Sequence, residues 1–212
     1  MEIKFISKAN IVGDIWEFRF SKPSAFLYQA GDYVDFTVPN VAARMLSMSS
    51  NPRESELIFT MRIVKNSSAF KQALSTLKPD NVCLISPAIG NFNLPIIPKP
   101  ILFIAIGIGI TPYRSLLLEE SLPEDSRLIY TARAREHIYE DIITKSKIDY
   151  TKREGRLQLD QIAMSTPDFK QRIIYLAGPE PACVKLYAEL LQAGLKRSQI
   201  KLEYFPGYKP QE

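Results

Sequence analysis

The stretch FIAIGIGITPYRSLL, residues 103–117, begins as an unbroken apolar run and ends in a helical pattern, with Gly107 and Gly109 at the change and Thr111-Pro112 just beyond it. A short continuous apolar run bounded by turn residues marks a strand covered on both faces, as in a parallel sheet. Pro112 suits the first turn of a helix, because the N–H it lacks would have no partner there. Ligands of such sheets bind beyond the carboxyl ends of the strands, which is where this turn falls. Glycines there let a diphosphate or a flat ring approach the backbone, and the helix start offers unpaired N–H groups and a positive dipole end. The spacing is neither G-x-G-x-x-G nor a P-loop with its lysine, so nucleotide binding and a merely tight turn both remain open on pattern alone.

After the turn the same rhythm continues. RLIYTAR and RIIYLAG are further continuous apolar runs, and PYRSLLLEE, YEDIITKSK and PACVKLYAELLQAG read as helices between and after them. In the last of these Val184, Tyr187, Leu190 and Leu191 are expected on one face, with Gly194 as the C-terminal stop. KIDYTKRE and KLEYF are candidate additional strands. Alternating strands and helices predict a doubly wound parallel sheet.

Before the turn the period is two. EIKFIS, DIWEFRF, DYVDFTV, ELIFTMRIV and NVCLIS alternate β-branched or aromatic residues with polar ones, separated by turn signals such as Gly13-Asp14, Gly31-Asp32 and Asn51-Pro52. Strands this dense, with one short helical candidate in SAFKQALSTL, predict a small antiparallel barrel. NLPIIPKPI then places three prolines in nine residues, a plausible junction. The expected division is a barrel domain over residues 1–97 and an α/β domain over residues 98–212.

The totals exclude several classes. At 212 residues, 46% hydrophobic and 24% charged, the composition is that of a globular chain with room for two cores. No apolar run reaches the roughly 18 residues of a membrane span, and the amino terminus alternates too strictly for a signal peptide, so a cytoplasmic location is the expectation. The net charge of +4 is spread along the chain instead of forming a nucleic-acid stripe. Cys83 and Cys183 are the only cysteines, too few for a cysteine-ligated zinc or iron–sulfur site, and both lie in apolar stretches that predict buried thiols.

Eight segments in order, GDYVDFTV, RMLSMSSNP, SAFKQAL, LKPDNVCLISPAIGNFNL, FIAIGIGITPYRSLL, LIYTARA, LAGPEP and KLEYFPGY, resemble the ferredoxin–NADP⁺ reductase superfamily over nearly the whole chain. The resemblance implies a flavin-binding barrel followed by a pyridine-nucleotide domain, with FAD favoured over FMN and NADPH or NADH as donor. It implies that Gly107, Gly109, Thr111 and Pro112 help to place the nicotinamide, with Ile106 where the family has a first glycine. RMLSMSS corresponds to the family's R-x-Y-S: Arg44 would pair with flavin phosphates and Ser47 would bond the ring's redox edge, with Met45 between them and Leu46 replacing the tyrosine that covers the ring. Ser67, Ser68, Ala69 and Phe70 correspond to the phosphate-cradling turn, although Ser68 is equally suited to be only an N-cap. Tyr33 matches a residue facing the flavin, or is a rim tyrosine of the barrel.

In the second half, Ala177, Gly178 and Pro179 correspond to the family's C-G-P turn, with alanine in place of the cysteine. Glu203 and Phe205 correspond to its E-x-F ending, and Tyr204 and Tyr208 are alternative ring covers. Arg133 and Arg135, just past a strand, would meet the extra phosphate of NADPH. His137 is read as a surface residue. The resemblance implies an NAD(P)H-dependent flavoprotein reductase passing electrons to a separate acceptor: a ferredoxin-like protein, free flavin, a quinone or oxygen. Two rival expectations are a regulatory module that kept the scaffold without turnover, and a barrel adaptor joined to an unrelated α/β domain.

Overall fold

The computed structural model describes residues 1–205; Tyr208 lies outside them. The first half forms a six-stranded antiparallel sheet from β1 (Glu2–Val12), β2 (Ile15–Ser21), β3 (Tyr33–Thr37), β4 (Arg44–Ser47), β5 (Glu56–Arg62) and β6 (Val82–Ile85), in the order β4-β3-β6-β1-β2-β5. Just past β4, the Ser49 N–H bonds the Ile58 carbonyl of β5 at 2.8 Å, which brings the two edges together into a barrel. Alternation places Val34 and Phe36 inward from β3, and the interior is aromatic: Phe20 meets Phe5, Phe36 and Phe59 edge to face at 5.1–5.9 Å. One helix, α1 (Ala69–Ser75), closes an end of the barrel with Phe70 and Leu74 buried.

The second half is a five-stranded parallel sheet of β7 (Ile101–Ile106), β8 (Arg127–Ala132), β9 (Asp149–Glu154), β10 (Ile173–Pro179) and β11 (Ile200–Phe205), in the order β11-β10-β7-β8-β9. Helices α2 (Thr111–Leu117), α3 (Glu140–Ser146), α4 (Leu159–Ser165) and α5 (Glu180–Gln192) connect the strands. With β7 central and the chain leaving it in both directions, the strand order reverses beside β7, so the carboxyl ends of β7 and β10 are where a sheet of this topology places its ligand crevice.

Two expectations change. The short strand β4 and the helix α4 were not foreseen. On α5 the fully buried stripe is Cys183, Leu186 and Leu190, with Tyr187 and Leu191 partly covered, whereas Val184 is half exposed. Both stripes have helical spacing and share Leu190, and the sheet selects the one that begins with the cysteine, which behaves as a small apolar residue. Gly194 is the left-handed residue after the helix, as expected. Both cysteines are free and buried. Among the described residues no helix is long and apolar enough to cross a membrane.

The halves share a core. Ile15, Ala30 and Phe92 join the apolar cluster of the parallel sheet, where the Phe92 ring lies 5.5 Å from Tyr113 and 5.0 Å from Tyr175. Asn93, in the proline-rich segment, donates to the Ala30 carbonyl and to Asp32 at 2.9 Å, while its own carbonyl accepts from Tyr175 and Lys201.

Candidate functional site

The two glycines that decide the fold have different jobs. After β7 the chain makes one 3-10 turn, Gly107–Ile110, and enters α2. Gly107 sits at φ +57° with open space where a side chain would project, so its backbone favours glycine and no side chain fills the space in front of it. Gly109 faces the Ala177 carbonyl so closely that any Cβ would overlap it. Gly178 is its counterpart: a Cβ there would lie 2.7 Å from the Ile106 Cβ. Gly109 and Gly178 therefore interlock the turns ending β7 and β10. The Thr111 hydroxyl donates to the Ile108 carbonyl at 3.0 Å and Pro112 is buried in the first helical turn, so both stiffen the same corner.

Across the crevice stands β4. Its register pairs Ser47 with Tyr33, Leu46 with Val34 and Arg44 with Phe36. Ser47 and Tyr33 thus share the outer face, while Leu46 and Arg44 fall on the other side of the strand. Leu46 packs partly on the barrel core, Met45 is 61% exposed, and Arg44 donates to the Ala43 carbonyl at 2.9 Å.

The turn into α1 also separates its residues. The Ser67 hydroxyl accepts from the Val64 N–H at 2.8 Å and is committed to the turn. Ser68 occupies the N-cap position, but its hydroxyl makes no capping bond. Ala69 is exposed, and the Phe70 ring lies in the core 6.0 Å from Phe36, leaving only its backbone toward the turn.

Two distant strands meet at Ser47. The Ser47 hydroxyl donates to Glu203 Oε1 from β11, whose register sets Glu203 beside Ala177, Tyr204 beside Gly178 and Phe205 beside Pro179. Burial pushes the Glu203 carboxyl up to about 7, against the opposing pull of the Ser47 bond. The β11 alternation puts Glu203 and Phe205 on one face and the exposed Tyr204 on the other. Behind Gly178 lies Cys183, its sulfur 3.4 Å from the position a Cβ on that glycine would take. Burial and the nearby Glu203 push its thiol up to about 12, so it stays protonated.

Arg133 and Arg135 are exposed in the loop after β8. Arg133 lies 3.8 Å from Glu136, and Arg135 has φ +65°. The loop is tied to the barrel, since Glu136 pairs with Arg62 at 2.7 Å and the Tyr139 hydroxyl donates to Thr60 at 2.6 Å. His137 is partly buried against Tyr130, its Nε2 2.8 Å from the Arg153 carbonyl, which makes it a structural residue of that loop.

Sequence reading passed over Arg114 and Glu54. Arg114, three residues past Thr111, is buried, and its guanidinium meets both Glu54 carboxylate oxygens at 2.7 and 2.8 Å and the Ser49 carbonyl at 2.8 Å. An arginine inside PYRSLLL carries no signal of a partner sixty residues earlier.

Two turns locked at the reversal point of a parallel sheet, facing a strand of an antiparallel barrel, form an architecture shared with solved structures. The FAD/NAD-binding domain of a nitric oxide dioxygenase from Vibrio cholerae superposes with a TM-score of 0.80 at 20% identity, covering 96% of this chain and 98% of that one. A ferredoxin NADP⁺ reductase from Neisseria gonorrhoeae, solved with bound FAD and NADP, gives 0.81 at 15% identity over 98% of both chains. This chain has the ferredoxin–NADP⁺ reductase fold. Curated relatives with this fold's sequence pattern include a flavohemoprotein of Candida albicans, 29% identical over 195 residues (79% of this chain, 47% of the relative), and one of Xylella fastidiosa, 26% identical over 205 residues (84% and 51%). An NADPH oxidoreductase of Mycobacterium tuberculosis is 25% identical over 185 residues, 76% of this chain and 49% of that protein. The chain spans about half the length of the curated relatives it matches. No family model matches.

Proposed function

We propose that the protein is an NAD(P)H-dependent flavoprotein reductase that passes electrons through bound FAD to a separate acceptor. The observation that carries the reading is the meeting of Ser47 with Glu203: a hydroxyl from the barrel and a carboxyl from the parallel sheet, joined beside the crevice and titrating near neutrality. The names of the relatives, flavohemoprotein and NADPH oxidoreductase, and the FAD and NADP bound in the Neisseria structure support it. In this reading residues 1–97 hold the flavin and residues 98–212 the nucleotide.

Two features of the chain fit a flavin dinucleotide and a second nucleotide. The Ser68 hydroxyl at the start of α1 is uncommitted, and the space in front of Gly107 is open. Bound there, the flavin and nicotinamide would supply the two-electron chemistry themselves. Arg44 would pair with phosphate, and the Ser68 hydroxyl and the first backbone N–H groups of α1 would donate to the same anionic group. Ser47 would orient the ring edge through its hydroxyl, and Glu203 would hold a proton beside it. Gly107, Thr111 and Pro112 would shape the nicotinamide slot, Phe205 would cover it, and Arg133 and Arg135 would favour a 2′-phosphate. Leu46, turned toward the barrel core, offers no π face, so ring placement falls to Ser47 and its neighbours. The acceptor we infer is external: a ferredoxin-like protein, free flavin, a quinone or oxygen.

The test is the visible spectrum of the purified chain with FAD, before and after anaerobic NADPH or NADH. Flavin uptake followed by bleaching is the expected outcome. Protein that takes up no flavin refutes the reading, and protein that binds flavin without bleaching identifies a regulatory module on the same scaffold.

A further inference from the structure

We propose that Arg114 is a positioning residue that sets the spacing between Ser47 and the Gly107–Ile110 turn. This inference rests on the reading above, and extends it to a residue that contacts neither cofactor.

The argument begins with a closed circuit of contacts. Arg114 lies in α2, which starts directly after the turn, and its fork holds Glu54 through two parallel bonds and the Ser49 carbonyl through a third. Ser49 is two residues beyond Ser47. From Ser47 the circuit passes to Glu203, from Glu203 to its strand neighbour Ala177, and from the Ala177 carbonyl to Gly109, which returns it to the turn. Two links are long-range side-chain contacts, Ser47 to Glu203 on the β11 side and Arg114 to Glu54 and Ser49 on the α2 side; the others are backbone packing or chain connectivity.

The neighbouring contacts show what Arg114 adds. Farther along α2, the Ser115 hydroxyl donates to the Ser50 carbonyl at 2.7 Å and the Asn51 amide donates to the Ser115 carbonyl at 3.0 Å. These are single bonds one residue farther from the turn. Arg114 adds three, and a guanidinium with both terminal nitrogens committed resists rotation as well as translation. The Tyr139 ring, 5.6 Å from the guanidinium carbon, covers one of its faces. Lysine would keep the charge but lose the fork.

The test uses the full chain and the variants Arg114→Lys, Arg114→Met and Glu54→Gln, with two independent readouts. The first needs no cofactor: the titration midpoint of Glu203, followed by carboxyl NMR. Burial raises that midpoint and the Ser47 bond lowers it, so a barrel strand that drifts away must move it: upward where only the bond is lost, as in Ser47→Ala, and downward where water reaches the carboxyl. The second is the rate of flavin reduction at saturating NADPH. A misplacement of about 1 Å costs up to about 100-fold in rate, so the expectation is a loss of at least about tenfold in Arg114→Met. The apparent dissociation constant of the nucleotide is expected to change by less than about threefold, with Arg114→Lys and Glu54→Gln intermediate. An unmoved Glu203 midpoint in all three variants overturns the proposal, as does an unmoved reduction rate. Wild-type protein that takes up no flavin refutes the function instead, and the midpoint then decides the positioning role alone. If Arg114→Met does not fold, the other two variants carry the same comparison.

Discussion

Besides their shared apolar core and the ties of the loop after β8, the halves of the molecule meet along a seam and at a rim. Along the seam, α2 runs beside residues 49–54 through an ion pair and several hydrogen bonds: Arg114 to Glu54 and Ser49, Ser115 to Ser50, Asn51 to Ser115 and Glu119. At the rim a single hydroxyl meets a single carboxyl, Ser47 and Glu203. Their electrostatics oppose each other. Burial raises Glu54, but the Arg114 fork and the Asn51 N–H outweigh it and hold the carboxyl below its ordinary value, whereas burial dominates at Glu203 and lifts it to about 7. The seam therefore stays charged throughout the neutral range while the rim changes state within it.

The largest effect is expected where the comparison has its foundation, in the glycine interlock that makes the turn rigid enough for the seam to hold. Gly109→Ala drives a methyl group into the Ala177 carbonyl, and the atoms it meets, through to the Gly178 Cα, are all backbone. The expected loss is about 3 kcal/mol or more, measured by chemical denaturation. Gly107→Ala meets no atom and is strained only through its φ of +57°, so it should lose about 1 kcal/mol. Equal losses at the two sites would show that the turn is not locked by the packing described.

Next comes the seam itself. Arg114→Met leaves Glu54 partly buried without its partner, at a cost of about 2 kcal/mol, below the range for fully buried pairs because Glu54 retains some exposure. The double variant Arg114→Met/Glu54→Gln should recover part of it. Strict additivity in the cycle would remove the pair from the seam.

Much of this frame is legible in sequence because hydrophobic period survives translation into structure. The barrel strands alternate and the sheet strands are continuous, for the reason that one set faces solvent on one side and the other does not. The site was legible only in part. Four residues, RMLS, are too few to show a period, so family resemblance singled out Arg44 and Ser47 while the strand β4 that carries them went unseen. Gly109 and Gly107 look alike in sequence, yet one is required by a neighbouring backbone and the other by its own dihedral angle. Arg114 was invisible because its meaning depends on Glu54 and Ser49, which only the closed fold brings to it.

The rim should reveal itself through pH. A carboxyl whose folded value is raised from 4.5 to about 7 binds more protons in the folded state between those limits, so stability should fall as pH rises through that window and flatten above it. The change expected for Glu203 is on the order of 1–2 kcal/mol once the partial exposure of the residue is allowed for. Seam acids such as Glu54 act with the opposite sign, contributing stability that is lost only as pH falls through their lowered values. Denaturation of wild type and Glu203→Gln at pH 4.5, 6 and 8 separates the two, because only the wild type should slope between 4.5 and 7. Parallel curves would place the titrating group elsewhere.

The smallest effect marks where the seam ends. Arg53 reaches the Leu118 carbonyl and pairs with Glu120 at 2.5 Å, continuing the line of contacts along α2, but the two side chains are 51% and 89% exposed. Solvent screening leaves such a pair little net energy, so Glu120→Gln should alter stability by less than about 0.5 kcal/mol. The same substitution should leave the Glu203 midpoint where it is, since Arg53 lies beyond Ser49, Ser50 and Asn51 on the far side from Ser47. A midpoint that moved would extend the positioning role from one buried fork to the whole length of the helix, and Arg114 would then be one contributor among several.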